Sequence, residues 1–550
     1  MTQGSVPWRG TRRVLLLGGV VYSPTTPFAS ALLIDGDSIA WVGEDTAADV
    51  HRQTADVVVD LGGAYVTPGF VDAHIHATST GLLLTGVNLT RAGSRAEALA
   101  GLAERASVAP GEPLLGHGWD ETRWPDGGPL TREEIDAVVG ETPAYISRID
   151  VHSAVVSSAL VNRAPDVQDL EGWSPSGPLT RRAHGRVREV ALSLVTPGQR
   201  DMAQRSARRA AAALGIVSVH EMAGPSISSE ADLAGLLALA DIEPGPLVIG
   251  YWGELASSGG IDVARRLGAR GAAGDLFIDG AIGSRTACLH APYADDPDSC
   301  GASYMTVGEL TEHLVATTEA GLQGGFHVIG DASSGMVTEA LHGAADRVGP
   351  DALRRAGHRL EHAEMLSDQD IAAMVQFGVT ASMQPMFDAL WGGPGGMYEE
   401  RLGADRMSGM NRFADIAAAG GVLAFGSDAP VTDLGPWAAV RAAVHHTDPR
   451  QRISARAAFS AHTRGGWRAG GDDHGGVLAP GAPAHLAVWR EQDWEVRVPD
   501  DRISTWSTDP RSGVPGLPVL DPGRPLPACV ATLVAGVPVH DDGTLDWATS

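Results

Sequence analysis

VTPGFVDAHIHATSTG, Val66 to Gly81, decides the fold of this chain. A short apolar run follows the break Pro68-Gly69 and ends in His74-Ile75-His76. Residues two apart on a strand point to the same face. Read as a strand, the run projects both imidazoles from its C-terminal end, which suits one bound metal ion. The pair means little alone. With 19 His in 550 residues, chance supplies about 0.65 such pairs, so the context has to carry the reading.

Downstream of about residue 200 the pattern alternates between helix and strand. Helical stretches are Met202 to Leu214, Ala231 to Ala240, Val307 to Ala320, Met336 to Val348, and a stretch near 411–419. Ser367 to Asp370 reads as a capping box opening a further helix to Phe377. Between them lie GIVSVHEMA (215–223), PLVIGYWG (246–253), DLFIDG (275–280), GGFHVIGD (324–331), HRLEHA (358–363), GVTASMQP (378–385) and GVLAFGSDAP (421–430). With the opening run these make eight strands separated by helices, the rhythm of a (β/α)8 barrel.

The flanks read differently. Residues 14 to 66 are β in pattern, with Asp35-Gly36 as a hairpin turn between ALLI and SIAWVG. After about 467 the helical rhythm stops, and 478–489 and 528–545 again read as β. The expected organisation is α/β: 1–66 and 468–550 build one small composite β-sandwich, and 67–467 form the barrel. Within it, the Trp-, Gly- and Pro-rich segment 82–200 is an insertion over the barrel mouth.

A net charge of -26 argues against nucleic acid or an anionic membrane as partner. A small molecule is the expected ligand, and a homodimer the default assembly. All 41 basic residues are arginine, since the chain contains no lysine. Lys nucleophiles, Schiff bases and carboxylated Lys are therefore excluded. Cys288, Cys300 and Cys529 show neither a disulfide framework nor a CxxC pair, so a reducing cytoplasm is the expected compartment. Arg12-Arg13 before VLLLGGVVY is read as the start of the first strand and not as a twin-arginine signal.

The chemistry-bearing candidates fall at strand ends: His74 and His76 on strand one, His327 on five, His362 on six, Asp428 on eight. That end of a barrel is where catalysis is assembled. Imidazoles with a carboxylate suit Zn²⁺ or a similar first-row divalent ion.

VTPGFVDAHIH, GHGWDETRWP, SRIDVHSA, LFIDGAIGSRTACL, FHVIGDAS, HRLEHAEML, SMQP and FGSDAPV resemble, in this order, the motifs of the amidohydrolase superfamily. The branch is the YtcJ-like, amidohydrolase-3 one, which includes enzymes of the N-substituted formamide deformylase type. The resemblance implies a barrel with a composite β-sandwich, a divalent metal (usually zinc), and hydrolysis of a C–N bond. It makes His74, His76, His327 and His362 metal ligands. Asp428 becomes the carboxylate that takes a proton from the activated water. Where the branch carries a lysine, carboxylated to bridge two metals, this chain has Asp275. Asp275 either bridges a compressed two-metal centre or falls short and leaves one metal. In the one-metal case His74, His76, His327 and Asp428 hold the ion and His362 orients water or substrate; the shorter reach of Asp tips the expectation to one.

Arg285 is a candidate for a substrate carboxylate or carbonyl. Trp119, Asp120, Asp150 and His152 are candidates for the pocket roof. Asp331, Arg359 and Glu361 are expected to support the ligands. Glu361 has the opposite strand parity to His362 and is not expected on the metal face. The function expected is hydrolysis of an amide-type bond in an N-substituted formamide or N-acyl amine. The alternatives are an aminohydrolase acting on a ring amidine and a metal-free barrel kept as a scaffold.

Overall fold

Pro68-Gly69 divides the deciding stretch between two sheets. Tyr65–Pro68 pairs antiparallel with Leu486–Arg490 and parallel with Val20–Val21. Phe70–Ile75 instead opens the barrel. A Cβ at Gly69 would lie 2.2 Å from Cγ1 of Val217, so glycine alone lets the second barrel strand pack against this crossing. The computed structural model describes residues 8–108, 110–121, 124–125, 127–149, 153–490, 493–497, 506–507 and 516–547.

Eight parallel strands follow one another in chain order around the sheet: β1 (Phe70–Ile75), β2 (Ile216–Ala223), β3 (Leu247–Trp252), β4 (Gly271–Ala272), β5 (Gln323–Val328), β6 (Arg359–His362), β7 (Thr380–Met383) and β8 (Val422–Phe425). Every residue of β1, β2, β5, β6 and β7 is buried, because helices cover the outer face and side chains fill the inside. The ends of β8 and β1 are stitched together where the amide of Asp428 donates to the carbonyl of His74 at 2.8 Å. The helix Asp368–Phe377 starts on the capping box of Ser367 and Asp370.

The fourth strand departs from expectation. Its ladder is confined to Gly271–Ala272, and the apolar run 276–278 lies beyond it. That run still follows β5, through a parallel bridge between Phe277 and His327. Asp275 therefore sits at the C-terminal end of a very short strand, not at the start of a longer one.

Strands from both ends of the chain form the sandwich. One sheet orders Ser38–Gly43, Ala31–Asp35, Arg13–Leu17 and Val57–Asp60. The other orders Val20–Val21, Tyr65–Pro68, Leu486–Arg490, Ala528–Val534 and Val537–Asp541. Their shared core contains Leu16, Leu32, Val59, Val66, Leu486 and Leu533.

Residues 77–207 with 429–431 make a second compact unit. The segment read as a loop-rich insertion is itself folded. Its sheet comprises Val87–Asn88, Leu114–Trp119, Ala144–Arg148 and Ala154–Val156. One of its apolar cores surrounds Leu102, Ile135 and Ile146, another Leu160, Leu179 and Val187. No helix among the described residues is long and apolar enough to cross a membrane.

Candidate metal centre

Six side chains converge at the C-terminal end of the barrel. β1 ends in His74, with His76 just after it. β5 supplies His327 and β6 ends in His362. Asp275 and Asp428 each stand three residues beyond a strand end. All six are buried. His362 (φ 68°) and Asp428 (φ 55°) occupy the left-handed region. That conformation costs on the order of 1–3 kcal/mol for a residue with a Cβ and is found where function requires it. The turn brings His362 to the centre, while Glu361, one residue earlier, stays off the metal face as its parity predicts and reaches His74 from behind.

The distances are those of a coordination shell. His76 Nε2 is 3.2 Å from Asp428 Oδ1 and 3.2 Å from Asp275 Oδ2. His74 Nε2 is 3.5 Å from Asp428 Oδ1 and 3.6 Å from Asp275 Oδ1. The same Asp275 Oδ1 is 3.6 Å from His327 Nδ1 and 3.7 Å from His362 Nε2. Four donors at metal bonds of about 2.1 Å and tetrahedral angles lie about 3.4 Å apart. His74 Nε2, Asp275 Oδ1, His327 Nδ1 and Asp428 Oδ1 are buried with no hydrogen-bond partner. Buried polar atoms are normally paired, and these orphans, spread over three overlapping groups of mutually close ligand atoms, mark a place for a cation. The donor set fits a divalent metal ion.

The electrostatics agree. Burial opposes charge on His76, but the adjoining carboxylates of Asp275 and Asp428, each 3.2 Å from Nε2, overcome it and push the imidazole up to about 10. His74 is likewise raised well above its ordinary value against the pull of burial, by the charges of Asp275 and Asp428. Burial alone would raise Asp275, yet His74 and its neighbours hold it well below the carboxylate range. The carboxylates thus draw protons onto the imidazoles in the absence of a stronger cation.

Each ligand is oriented from behind. Nδ1 of His74 donates to Glu361 Oε2 at 2.9 Å, which in the neutral ring leaves Nε2 as the inward lone pair. Nδ1 of His362 donates to Gln384 Oε1 at 2.8 Å. Nε2 of His327 donates to the carbonyl of Gly280 at 3.3 Å. The buried Asp72 carboxylate accepts from the amides of Ser427 (2.8 Å) and His74 (3.3 Å), tying the two strand ends together. Asp279 accepts three amides, from Cys288, Ile329 and Gly330, and so anchors the loop after β5. The ring of Phe387 stacks on His362 with centroids 5.9 Å apart.

Other candidates fare differently. Arg285 is paired with Asp295, Nη2 to Oδ2 at 2.6 Å, at a partly exposed position. Trp119 is 1% exposed in a core of the second unit, and its indole donates to the carbonyl of Ile146. It is packing, not a substrate platform. Asp120 forms an ion pair with Arg148 at 3.6 Å. Asp150 and His152 lie outside the described residues. Asp331 accepts the amide of His290. Asp72 and Gln384 were not foreseen, although both stand in quoted motifs, Asp72 two residues before His74 and Gln384 just after strand seven.

The sequence model of the Amidohydrolase family matches residues 57–540. Protein LONG AFTER FAR-RED 3 of Arabidopsis thaliana is 27% identical over 541 residues, covering 90% of each chain. The Bacillus subtilis relative YtcJ, by its name an amidohydrolase, is 27% identical over 421 residues, which is 70% of this chain and 74% of its own. A crystal structure of an uncharacterized metal-dependent hydrolase from Pyrococcus furiosus superposes with a TM-score of 0.70. It shares 25% identity and covers 86% of this chain and 98% of that one.

Proposed function

The chain belongs to the amidohydrolase family, hydrolases acting on carbon–nitrogen bonds, and on that premise we propose that it cleaves a non-peptide, amide-type C–N bond of a small molecule such as an N-substituted formamide or N-acyl amine. The metal proposed is zinc, held by His74, His76, Asp275, His327, His362 and Asp428. The carrying observation is the convergence of these six groups, four of them ending in an unpaired buried donor atom.

A divalent ion in this place acidifies water and polarises a carbonyl. The rest falls to the chain. Asp428 is held ionised below its ordinary range: burial would raise it, and His74, His76 and His362 outweigh that. It is the base that takes a proton from the attacking water and returns it to the leaving nitrogen as the C–N bond breaks. A carboxylic acid and an amine result. His362, fixed by Gln384, would serve as a ligand; only in the one-metal alternative would it be left to orient water or substrate.

The sequence leaves Asp275 two outcomes, a place shared by two ions or a shorter reach that leaves one, with the balance tipped to one. Its two oxygens stand 3.2–3.7 Å from four imidazole nitrogens. This supports a two-ion reading in which Asp275 is shared. Metal analysis of purified protein, with turnover of N-formyl and N-acyl amines before and after chelation, tests the proposal. Two ions per chain and activity that returns with Zn²⁺ are expected. One tightly held ion would restore the one-metal alternative. Ammonia released from ring amidines, with no amide cleavage, would replace the proposed reaction with deamination.

A further inference from the structure

Directly behind His74, inside the barrel, lies an ion pair in a place that apolar side chains usually fill. Arg359 and Glu361 are both 0% exposed. Two residues apart on β6, they point the same way. Nε of Arg359 donates to Glu361 Oε1, and one Nη2 donates to Glu361 Oε2 at 3.0 Å. That Nη2 also donates to the carbonyl of Ala73 on β1 (2.7 Å) and to Ser382 Oγ on β7 (2.9 Å). Nη1 donates to Nδ1 of His220 on β2 at 3.0 Å. The guanidinium face lies 4.6 Å from the ring centroid of Tyr251 on β3. One side chain thus touches five of the eight strands.

A buried ion pair is a poor way to stabilise a fold. Well-packed apolar residues of similar volume serve as well or better. The arrangement accomplishes something an apolar layer cannot. Both Glu361 oxygens are clamped by the fork of Arg359, so the carboxylate cannot rotate. Oε2 faces Nδ1 of His74 at 2.9 Å. A carboxylate only accepts, so Nδ1 must carry a hydrogen, and in the neutral ring that a metal ion requires the lone pair is then on Nε2, the nitrogen facing Asp275 and Asp428.

We propose that Arg359 is a positioning residue that acts through Glu361 on His74, locking the imidazole in its metal-binding tautomer and orientation. The inference rests on the metal-binding reading above. It assigns the charged layer under the centre to metal retention and not to fold stability.

The test compares wild type with Glu361→Gln, Arg359→Met and the double variant Arg359→Met/Glu361→Met. Each is stripped of metal, and Zn²⁺ affinity is measured by competition with a chromophoric chelator. Thermal denaturation of the metal-free proteins reports the fold, and the visible spectrum of Co²⁺-loaded protein reports the ligand geometry. All three variants should bind Zn²⁺ about 10- to 100-fold more weakly. The double variant should keep the metal-free melting temperature of wild type and show an altered Co²⁺ spectrum. Wild-type affinity in folded Glu361→Gln would overturn the proposal. So would metal loss that merely tracks loss of fold in all three variants. Wild type that binds no metal at all would instead refute the metal reading on which the proposal stands.

Discussion

Metal loading should release protons, and the structure says how many and at what expense. In the metal-free protein, burial opposes charge on His76, yet the adjoining carboxylates of Asp275 and Asp428 hold its imidazole at about 10. A metal ion requires the neutral imidazole. Each pH unit below the imidazole value subtracts about 1.4 kcal/mol from apparent binding. At pH 7.5 the His76 proton alone subtracts about 3 kcal/mol, on the order of a hundredfold or more in affinity. His74, shifted the same way, adds a second proton. Titration calorimetry of stripped protein with Zn²⁺, in buffers of different ionisation enthalpy, reads this directly. One to two protons should leave per ion at pH 7.5, and the logarithm of apparent affinity should climb by about one to two per pH unit between 7 and 9. The same shift bears on the metal-free fold. Because His76 is raised above its ordinary 6.5, its contribution to stability is present in full below that value and is lost as pH rises through about 10. Flat affinity between pH 7 and 9 with no proton release would refute the reasoning, because the carboxylates would then not be protonating the imidazoles.

Asp428→Asn should lower kcat by about 10²–10⁴-fold while the melting temperature stays close to wild type, as expected of a lost proton shuttle; near-normal turnover would remove Asp428 from that role. Gly426→Ala should destabilise by about 1–3 kcal/mol in denaturant titration, because its Cβ would meet the backbone nitrogen of His74 at 2.5 Å and Asp72 Oδ1 at 3.0 Å.

Elements with a strong local signal were readable from the chain. The capping box at Ser367 and the helix Val307–Ala320 are carried by residues three or four apart. The strands β2, β5 and β7 are continuous buried runs. β4 was misplaced because its ladder residues, Gly271 and Ala272, carry almost no apolar signal, while the neighbouring Leu276 to Ile278 carry much. Its position is decided by pairing with β3 and β5, not by its own composition. Trp119 shows the same limit. An indole in a Gly- and Pro-rich segment reads equally as core or as pocket wall, and only its burial beside Ile146 decides.

The sequence by itself determined the barrel rhythm, the strand ends that carry His74, His76, His327, His362 and Asp428, and the absence of any lysine. These are properties of periodicity and residue type, which act over a few positions. What only the tertiary structure decided is how those ends meet. Asp275 reaches four imidazoles, the left-handed turn at His362 brings that ring to the centre, and Glu361 orients a histidine 287 positions away. The physical reason is that such contacts depend on the closure of eight strands around one axis. Local pattern sets which face a side chain takes along a strand, but not which side chains stand opposite it once the barrel is closed.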